Sequence, residues 1–124
     1  MKKITFLIAF GPNWYGDESD ESAEVTGYQL TPNFACWKSE SHLHSFAPWS
    51  LTHLGSGYAV FWHRTAKACL ADAEKLEQAT TPDGRRFHWE TISRGNADRR
   101  MRRLGAKGMS RILGRDVSVR EVRG

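Results

Sequence analysis

The stretch that decides the fold reads Trp49-Ser-Leu-Thr-His-Leu54, Gly55-Ser-Gly57, Tyr58-Ala-Val-Phe-Trp62. Its first segment alternates apolar with polar residues, and its last segment is a run of aromatic and branched residues. A period of two on both sides of a short glycine-rich loop predicts a β-hairpin. From Thr65 the apolar residues fall at helical spacing, and the Thr65 hydroxyl is placed to cap the first turn. We therefore predict a hairpin followed by an amphipathic helix over residues 65–79.

Further strands are predicted on both sides of this stretch. Residues 3–10 are rich in branched and aromatic side chains, which predicts a buried strand, and residues 25–30 predict a second strand. Residues 85–92 alternate, with Phe87, Trp89 and Thr91 on one face and Arg86, His88 and Glu90 on the other, as in a half-buried strand. Residues 34–48 have no clean period. The pattern predicts a single α+β domain over residues 1–124, a mainly antiparallel sheet packed against the helix.

Length and composition agree with one domain. A chain of 124 residues with 40% apolar residues is long enough to bury a core. The beginning, with Lys2 and Lys3 before an apolar run, resembles an export signal, but the run ends at Gly11-Pro12 without a small-residue cleavage site. No run approaches the length of a membrane span. We expect a strand at this end and a cytoplasmic protein acting in a host cell.

The last quarter of the chain carries the strongest charge. Residues 1–93 hold eight Lys and Arg against eleven Asp and Glu, whereas residues 94–124 hold ten against three, for net charges of −3 and +7. This asymmetry indicates a basic end that meets an anionic partner. We predict a basic helix over 96–113, which Asn96 begins and Gly114 ends. The side chains expected to bind are Arg99, Arg100, Arg102, Arg103, Lys107 and Arg111.

Two further features belong to this basic C-terminal segment, residues 93–124. Gly105 and Gly108 each weaken a helix by about 1 kcal/mol relative to Ala, which predicts a kink or two short helices. Residues 117–122 alternate in the manner of a final edge strand, whose Arg and Glu discourage unwanted pairing.

An acidic segment near the other end offers a second interaction surface. Residues 17–24 contain five carboxylates and no large apolar side chain, which is typical of a solvated loop. The same carboxylates form a candidate anionic patch for a basic partner, or for the chain's own arginines. They are Asp17, Glu18, Asp20, Glu21 and Glu24.

Residues with reactive side chains form no recognised catalytic motif. His42 and His44 alternate as on one strand face, where Cys36 is a candidate third zinc ligand, but no fourth ligand stands at a recognisable spacing. His53, His63 and His88 fall on predicted strands and form either a cluster or three separate sites. Phosphate-binding loops, dinucleotide fingerprints and paired-cysteine zinc spacings are missing from the sequence. We expect no enzyme, metal or cofactor.

Two stretches resemble known proteins. Asn96-Ala-Asp-Arg-Arg-Met-Arg-Arg-Leu104 is similar to arginine-rich RNA-binding helices of phage antiterminators. Residues 49–60 with the following Ala-rich helix, about a quarter of the chain, resemble a segment of small accessory proteins of bacteriophages and prophages. Accessory proteins of this size include inhibitors of host defence, such as anti-CRISPR proteins, which mostly occupy a surface of the host machinery. The basic end departs from pure DNA mimics, which are acidic overall.

The resemblance implies a non-enzymatic phage-type protein that binds a host nucleoprotein defence complex and inhibits it. Its contacts would be the basic helix and exposed tryptophans, since aromatic and Arg side chains dominate many interfaces. Two alternatives remain open at this stage. One is a DNA- or RNA-binding regulator that uses the helix 96–113, and the other is a small histidine-based, metal-dependent hydrolase.

Overall fold

Five strands and two helices make up the part of the chain that the computed structural model describes, residues 1–9, 22–40, 46–81, 83–93 and 95–115. The strands form one antiparallel sheet in sequential order, and the fold is α+β and mainly sheet, as predicted. The strands are β1 (Lys2–Ala9), β2 (Ser22–Thr31), β3 (Phe34–Lys38), β4 (Trp49–His53) and β5 (Ala59–His63). The helices are α1 (Ala66–Glu77) and α2 (Ala97–Leu113), with a 3₁₀ turn at Trp89–Thr91 between them.

The predicted hairpin is confirmed as β4 and β5. Leu51 lies opposite Phe61, and the register shifts between Leu51 and Thr52. The backbone N–H of Gly57 donates to the carbonyl of His53 at 2.8 Å. Gly57 has a φ of 76°, a left-handed conformation that suits glycine. The loop therefore turns the chain tightly enough for the two strands to pair.

Helix α1 covers the sheet and buries the core. Thr65 begins it, accepting a hydrogen bond at its hydroxyl from the N–H of Ala68 at 3.1 Å, which confirms the predicted cap. The apolar stripe of α1 packs on the inner face of the sheet from β2 to β5. Fully buried members of this core include Phe34, Cys36, Leu51, Cys69, Ala73 and Leu76.

Strand β1 is present where predicted, but the prediction that it is buried is wrong. Among the described residues it pairs with β2 alone, at one edge of the sheet. Helix α1 packs on the strands from β2 to β5, and in the described part of the chain it has no comparable contact with β1. Leu7 is consequently 58% exposed. Apolar content identified a strand here without showing how much of it a helix would cover.

Residues 85–92 form no strand, which corrects the sequence prediction. Arg86 makes an isolated bridge to Thr80, and the chain then enters the 3₁₀ turn. Phe87 and Trp89 are buried as the alternation required, but Thr91 is exposed. The Trp89 indole N–H donates to the carbonyl of Leu76 on α1. This one large side chain is buried against α1 and against Phe34 and His53 of the sheet, so the segment packs on the core instead of adding a strand.

Helix α2 is continuous over Ala97–Leu113, so of the two predicted alternatives, a kink or two short helices, the second is not observed. Gly108 leaves room for Leu104, since a Cβ at 108 would lie 2.8 Å from Leu104 Cδ1. Asn96 begins the helix, but its Oδ1 accepts from the N–H of Ser93 instead of capping the first turn. Gly114 ends the helix at φ 73°, as predicted. The predicted strand at 117–122 lies outside the described residues.

Within the described residues, neither helix combines the length and apolar character needed to cross a membrane.

Candidate functional site

A cleft of about 610 Å³ lies between the N-terminal half of α2 and the segment Thr81–His88. Its walls are rich in cations, because arginines from both segments line it. Among the described residues, Asp83 is the acidic residue that lines it, and Phe87 and Leu104 supply apolar surface. We call this the basic cleft. Its arginines are Arg85, Arg86, Arg99, Arg100 and Arg103.

A tight turn builds the first wall of the basic cleft. The N–H of Thr81 donates to the carbonyl of Arg85 at 2.7 Å, and the N–H of Gly84 donates to the carbonyl of Thr81 at 2.9 Å. Gly84 has a φ of 85°, which a turn of this kind assigns to glycine. Arg85 lies 3.4 Å from Asp83, and with its side chain 84% exposed the pair contributes little to stability. The turn therefore presents Arg85 to solvent.

Arg100 on α2 joins the two walls. Its Nη1 donates to the Thr91 hydroxyl at 2.8 Å and its Nη2 to the carbonyl of His88 at 3.4 Å. The guanidinium carbon also lies 5.6 Å from the centre of the Phe87 ring, within cation–π range. These contacts fix the position of α2 against the segment that carries His88. Arg100 thus shapes the cleft more than it offers a vacant binding group.

Three of the predicted binding cations are exposed and have no charged or hydrogen-bonding partner among the described residues: Arg99, Arg103 and Lys107. They stand at intervals of four residues, so they share one helix face with a rise of ~6 Å between neighbours. Arg111 instead donates to the carbonyl of Thr80 at 2.7 Å and ties α2 to the end of α1. The side chain of Arg102 lies outside the described residues.

The predicted acidic patch falls largely outside the described residues. Asp17, Glu18, Asp20 and Glu21 belong to the segment that is not described, and Glu24 is exposed on β2 opposite Leu7. Within the described ranges, no carboxylate forms an ion pair with a side chain of α2. In the described part of the chain, carboxylates therefore do not neutralise the positive charge of α2.

Some of the tryptophans were expected to be exposed enough to anchor a partner, and three of the four that the structure describes are partly exposed. Trp89 is fully buried, while Trp37, Trp49 and Trp62 are half-buried. Trp37 and Trp62 flank Ser50 of β4, with ring centres 6.0 Å apart in an edge-to-face contact. Aromatic pairing of this kind uses apolar area that was expected to face a partner.

Cluster formation by His53, His63 and His88 is not observed, because each ring has different neighbours. His53 is buried between Ser56 and the Trp89 carbonyl. His63 Nε2 lies 2.8 Å from Asp72 Oδ2. His88 Nδ1 lies 3.0 Å from Glu90 Oε1, on the exposed rim of the basic cleft.

The described residues contain no candidate zinc site. His42 and His44 lie outside them, and the described ranges contain no group of three metal-ligating side chains. Cys36 is fully buried in the core rather than open to a metal. Its hydrogen bond with Cys69, with burial in addition, raises the pKa of the Cys69 thiol far above its usual range. Cys69 is thus a protonated core residue and not an activated nucleophile.

The His53 environment selects the neutral imidazole. The N–H of Ser56 donates to Nδ1 at 3.1 Å, so Nδ1 is an acceptor and Nε2 carries the proton that is donated to the Trp89 carbonyl at 2.9 Å. Burial lowers the pKa of His53, against smaller opposing effects of the Trp89 carbonyl and Glu77. His53 is a structural residue that holds the 3₁₀ turn against the hairpin.

Glu90 is the carboxylate that interacts most closely with the cations of the basic cleft. Arg86 Nη1 donates to its Oε1 at 2.7 Å, and His88 contacts the same oxygen. A hydrogen bond from its own backbone N–H, followed by those from His88 and Arg86, lowers the pKa of Glu90 to about 2. Glu90 is therefore ionised at neutral pH and competes for Arg86 with any anion in the cleft.

The residues that sequence reasoning missed are those of the turn wall, Arg85, Arg86 and His88. The residues Thr81-Pro-Asp-Gly84 predicted the turn, and the two arginines follow it directly. What the sequence did not reveal is that α2 returns to this turn, since that contact depends on Arg100 and on burial of Phe87.

Comparison with protein-family models, curated proteins and solved structures finds no match to this chain.

Proposed function

We propose that this is a non-enzymatic, cytoplasmic binding protein that docks on the phosphate backbone of nucleic acid, either free or within a nucleoprotein complex. The observation that carries the proposal is the exposed row of Arg99, Arg103 and Lys107 beside the arginine-lined basic cleft. Guanidinium groups donate two parallel hydrogen bonds to phosphate oxygens, and release of counterions favours the association.

The balance of charge in the basic cleft supports an anionic ligand. Its walls carry Arg85, Arg86, Arg99 and Arg103 in addition to Arg100. Among the described residues, Asp83 is the carboxylate that lines the cleft, and Glu90 pairs with Arg86. Exposed like charges repel one another, so an arrangement of this kind is relieved by a ligand that brings negative charge. The helical spacing of the row is comparable with the separation of neighbouring phosphates along a strand, which favours a polyanion over a single ion.

Salt-dependent binding tests the proposal. Fluorescence anisotropy with labelled single-stranded and duplex oligonucleotides, at 50 and 200 mM salt, is expected to show affinity that falls steeply with salt. The double variant Arg99→Ala/Arg103→Ala should bind at least tenfold more weakly at low salt, and each lost phosphate contact should reduce the log–log salt slope by roughly 0.7–0.9.

A matched control distinguishes loss of affinity caused by the cleft residues from loss of affinity caused by the lower net charge. Arg64→Ala/Lys67→Ala removes the same number of charges from exposed positions that do not line the cleft. It should retain most of the affinity. Absence of binding to every oligonucleotide at low salt, or equal losses in the two double variants, would overturn the proposal.

The phage-type resemblance extends the proposal to a biological role, inhibition of a host defence complex of the CRISPR kind. In this role the basic helix would occupy the path of the nucleic acid through the complex. Target cleavage by a purified defence complex, measured with and without this protein, tests the role. We expect the protein to inhibit cleavage, Arg99→Ala/Arg103→Ala to weaken the inhibition, and Arg64→Ala/Lys67→Ala to preserve it. Undiminished cleavage would contradict the proposed inhibition but would leave the proposal of nucleic-acid binding intact.

A further inference from the structure

We propose that the basic cleft selects single-stranded nucleic acid over duplex, with a phosphate held by its arginines and an unpaired base stacked against His88. The inference rests on the proposed function and names the ligand class for the same site. It depends on three properties of the cleft: its size, its stacking surfaces and its fixed shape.

The size of the basic cleft favours a single strand. Its volume of about 610 Å³ lies within the range of sites that hold one small molecule, roughly 300–1,000 Å³. One or two nucleotides fit such a space, whereas a duplex would meet only the rim. Phe87 and Leu104 give the cleft an apolar floor. A duplex presents its phosphates and sugars outward and keeps its bases paired, so it offers little to such a floor.

His88 provides a stacking surface next to the cations. Its side chain is 56% exposed and lines the cleft, and its Nδ1 lies 3.0 Å from Glu90 Oε1. That contact orients the ring without covering it. Arg86 is held by the same carboxylate, and its Nη1 lies 3.3 Å from His88 Nδ1, so the guanidinium is next to the imidazole. Single-stranded bases stack on aromatic side chains and on Arg planes, and duplex bases are not available for this.

The cleft is organised before a ligand arrives. Arg100 links α2 to the Thr91 hydroxyl and the His88 carbonyl, and packs on Phe87. The distance between the phosphate-binding face of α2 and the stacking face of His88 is therefore set by the fold. A ligand whose phosphates and bases are both accessible satisfies the two faces together, and a single strand meets that condition.

Anisotropy titrations with a 12-nucleotide single-stranded DNA, the same single-stranded RNA and the matching DNA duplex test the inference. The wild-type protein should bind a single strand at least tenfold more tightly than the duplex. His88→Ala should lose about tenfold in single-strand affinity, the order that one base stack supplies, and less than twofold in duplex affinity. The RNA and DNA arms show whether a 2′-hydroxyl contributes.

His88→Phe is the decisive companion variant, because it keeps a planar ring and removes the contact with Glu90. It should retain the preference for single strands, whereas loss of preference would show that the ring is not a stacking surface. Equal affinity for duplex and single strand, or equal losses for both with His88→Ala, overturns the inference while the proposed function stands. No binding to any of the three oligonucleotides overturns the proposed function itself.

Discussion

Asp72 on α1 accepts two hydrogen bonds from Arg115, Nη1 to Oδ1 at 2.9 Å and Nη2 to Oδ2 at 2.7 Å. The carboxylate is buried and also contacts His63, so it fastens the residue just beyond α2 to the middle of α1. Burial favours the neutral acid, but the hydrogen bonds from Arg115 and the close approach of His63 outweigh it and hold the pKa of Asp72 well below its usual range. The result is a partly buried ion pair, with the Arg115 side chain 43% exposed, that links α1 to the residues following α2.

Asp72→Asn should lower the free energy of unfolding by about 2–3 kcal/mol at pH 7, because it leaves Arg115 and His63 without their charged partner. A carboxyl with a depressed folded pKa stabilises the protein above its unfolded pKa, and that contribution is lost as the pH falls below about 5. Urea unfolding at pH 7 and pH 3 measures both effects. The variant should lose less stability on acidification than the wild type.

Glu74→Gln is the control for this measurement, since Glu74 is exposed on the same helix. It should leave the free energy of unfolding within about 0.5 kcal/mol of wild type. An acid response that is the same in Asp72→Asn and wild type would contradict the assignment of that response to Asp72.

His53 predicts a separate response at milder pH. Its pKa is lowered in the folded state, so the folded protein binds this proton less readily than the unfolded chain. Stability from His53 is therefore present above the ordinary histidine pKa and falls as the pH drops from about 7 to 5. His53→Gln should be less stable at pH 7, but its unfolding midpoint should change less between pH 7 and pH 5 than that of the wild type. A slope unchanged by the substitution would assign the response to another group.

The hairpin and α1 were predictable because their signals are local. Thr65 caps the helix that it precedes, and Gly57 turns the chain between strands whose alternation is visible in the sequence. The burial of β1 and the conformation of residues 85–92 depended on contacts distant in sequence. Trp89 bonds to Leu76 and to His53, and neither partner can be recognised from the alternation around Trp89.

The basic cleft was likewise predictable in part: its local helical pattern was visible in the sequence, and its distant contacts were not. Charge and helical spacing identified Arg99, Arg103 and Lys107 as a cationic face, because that pattern lies within one helix. The same reasoning also counted Arg100 and Arg111, which donate to the backbone carbonyls of His88 and Thr80. The pattern of side chains in a sequence does not show which backbone carbonyls will lie near an arginine. Sequence alone therefore cannot distinguish an arginine that is free to bind a ligand from one that stabilises the fold.

Gly27 gives a prediction about packing of the sheet. A Cβ at this position would overlap the carbonyl oxygen of Cys36 and lie 2.9 Å from Trp37 Cβ. Because the obstacle is the backbone of the neighbouring strand, Gly27→Ala should separate β2 from β3 and cost about 3 kcal/mol or more in unfolding free energy. Gly95→Ala is the control, since the contact of its Cβ within the described residues would be with Ser93 Oγ at 3.9 Å, an ordinary van der Waals distance. Thermal unfolding should leave that control near wild type, and equal shifts in both variants would contradict the argument.

Glu90 predicts a gain in affinity on removal of a charge. Its ionised carboxylate holds Arg86 at 2.7 Å, so a phosphate entering the basic cleft must compete for that guanidinium. Glu90→Gln should raise affinity for a single-stranded oligonucleotide about threefold at 50 mM salt and steepen the salt dependence, because one more arginine becomes available to phosphate. Glu74→Gln makes the same change in net charge away from the cleft. If the two variants gain equally, net charge explains the effect and Arg86 makes no phosphate contact; a gain confined to Glu90→Gln places Arg86 in the binding surface.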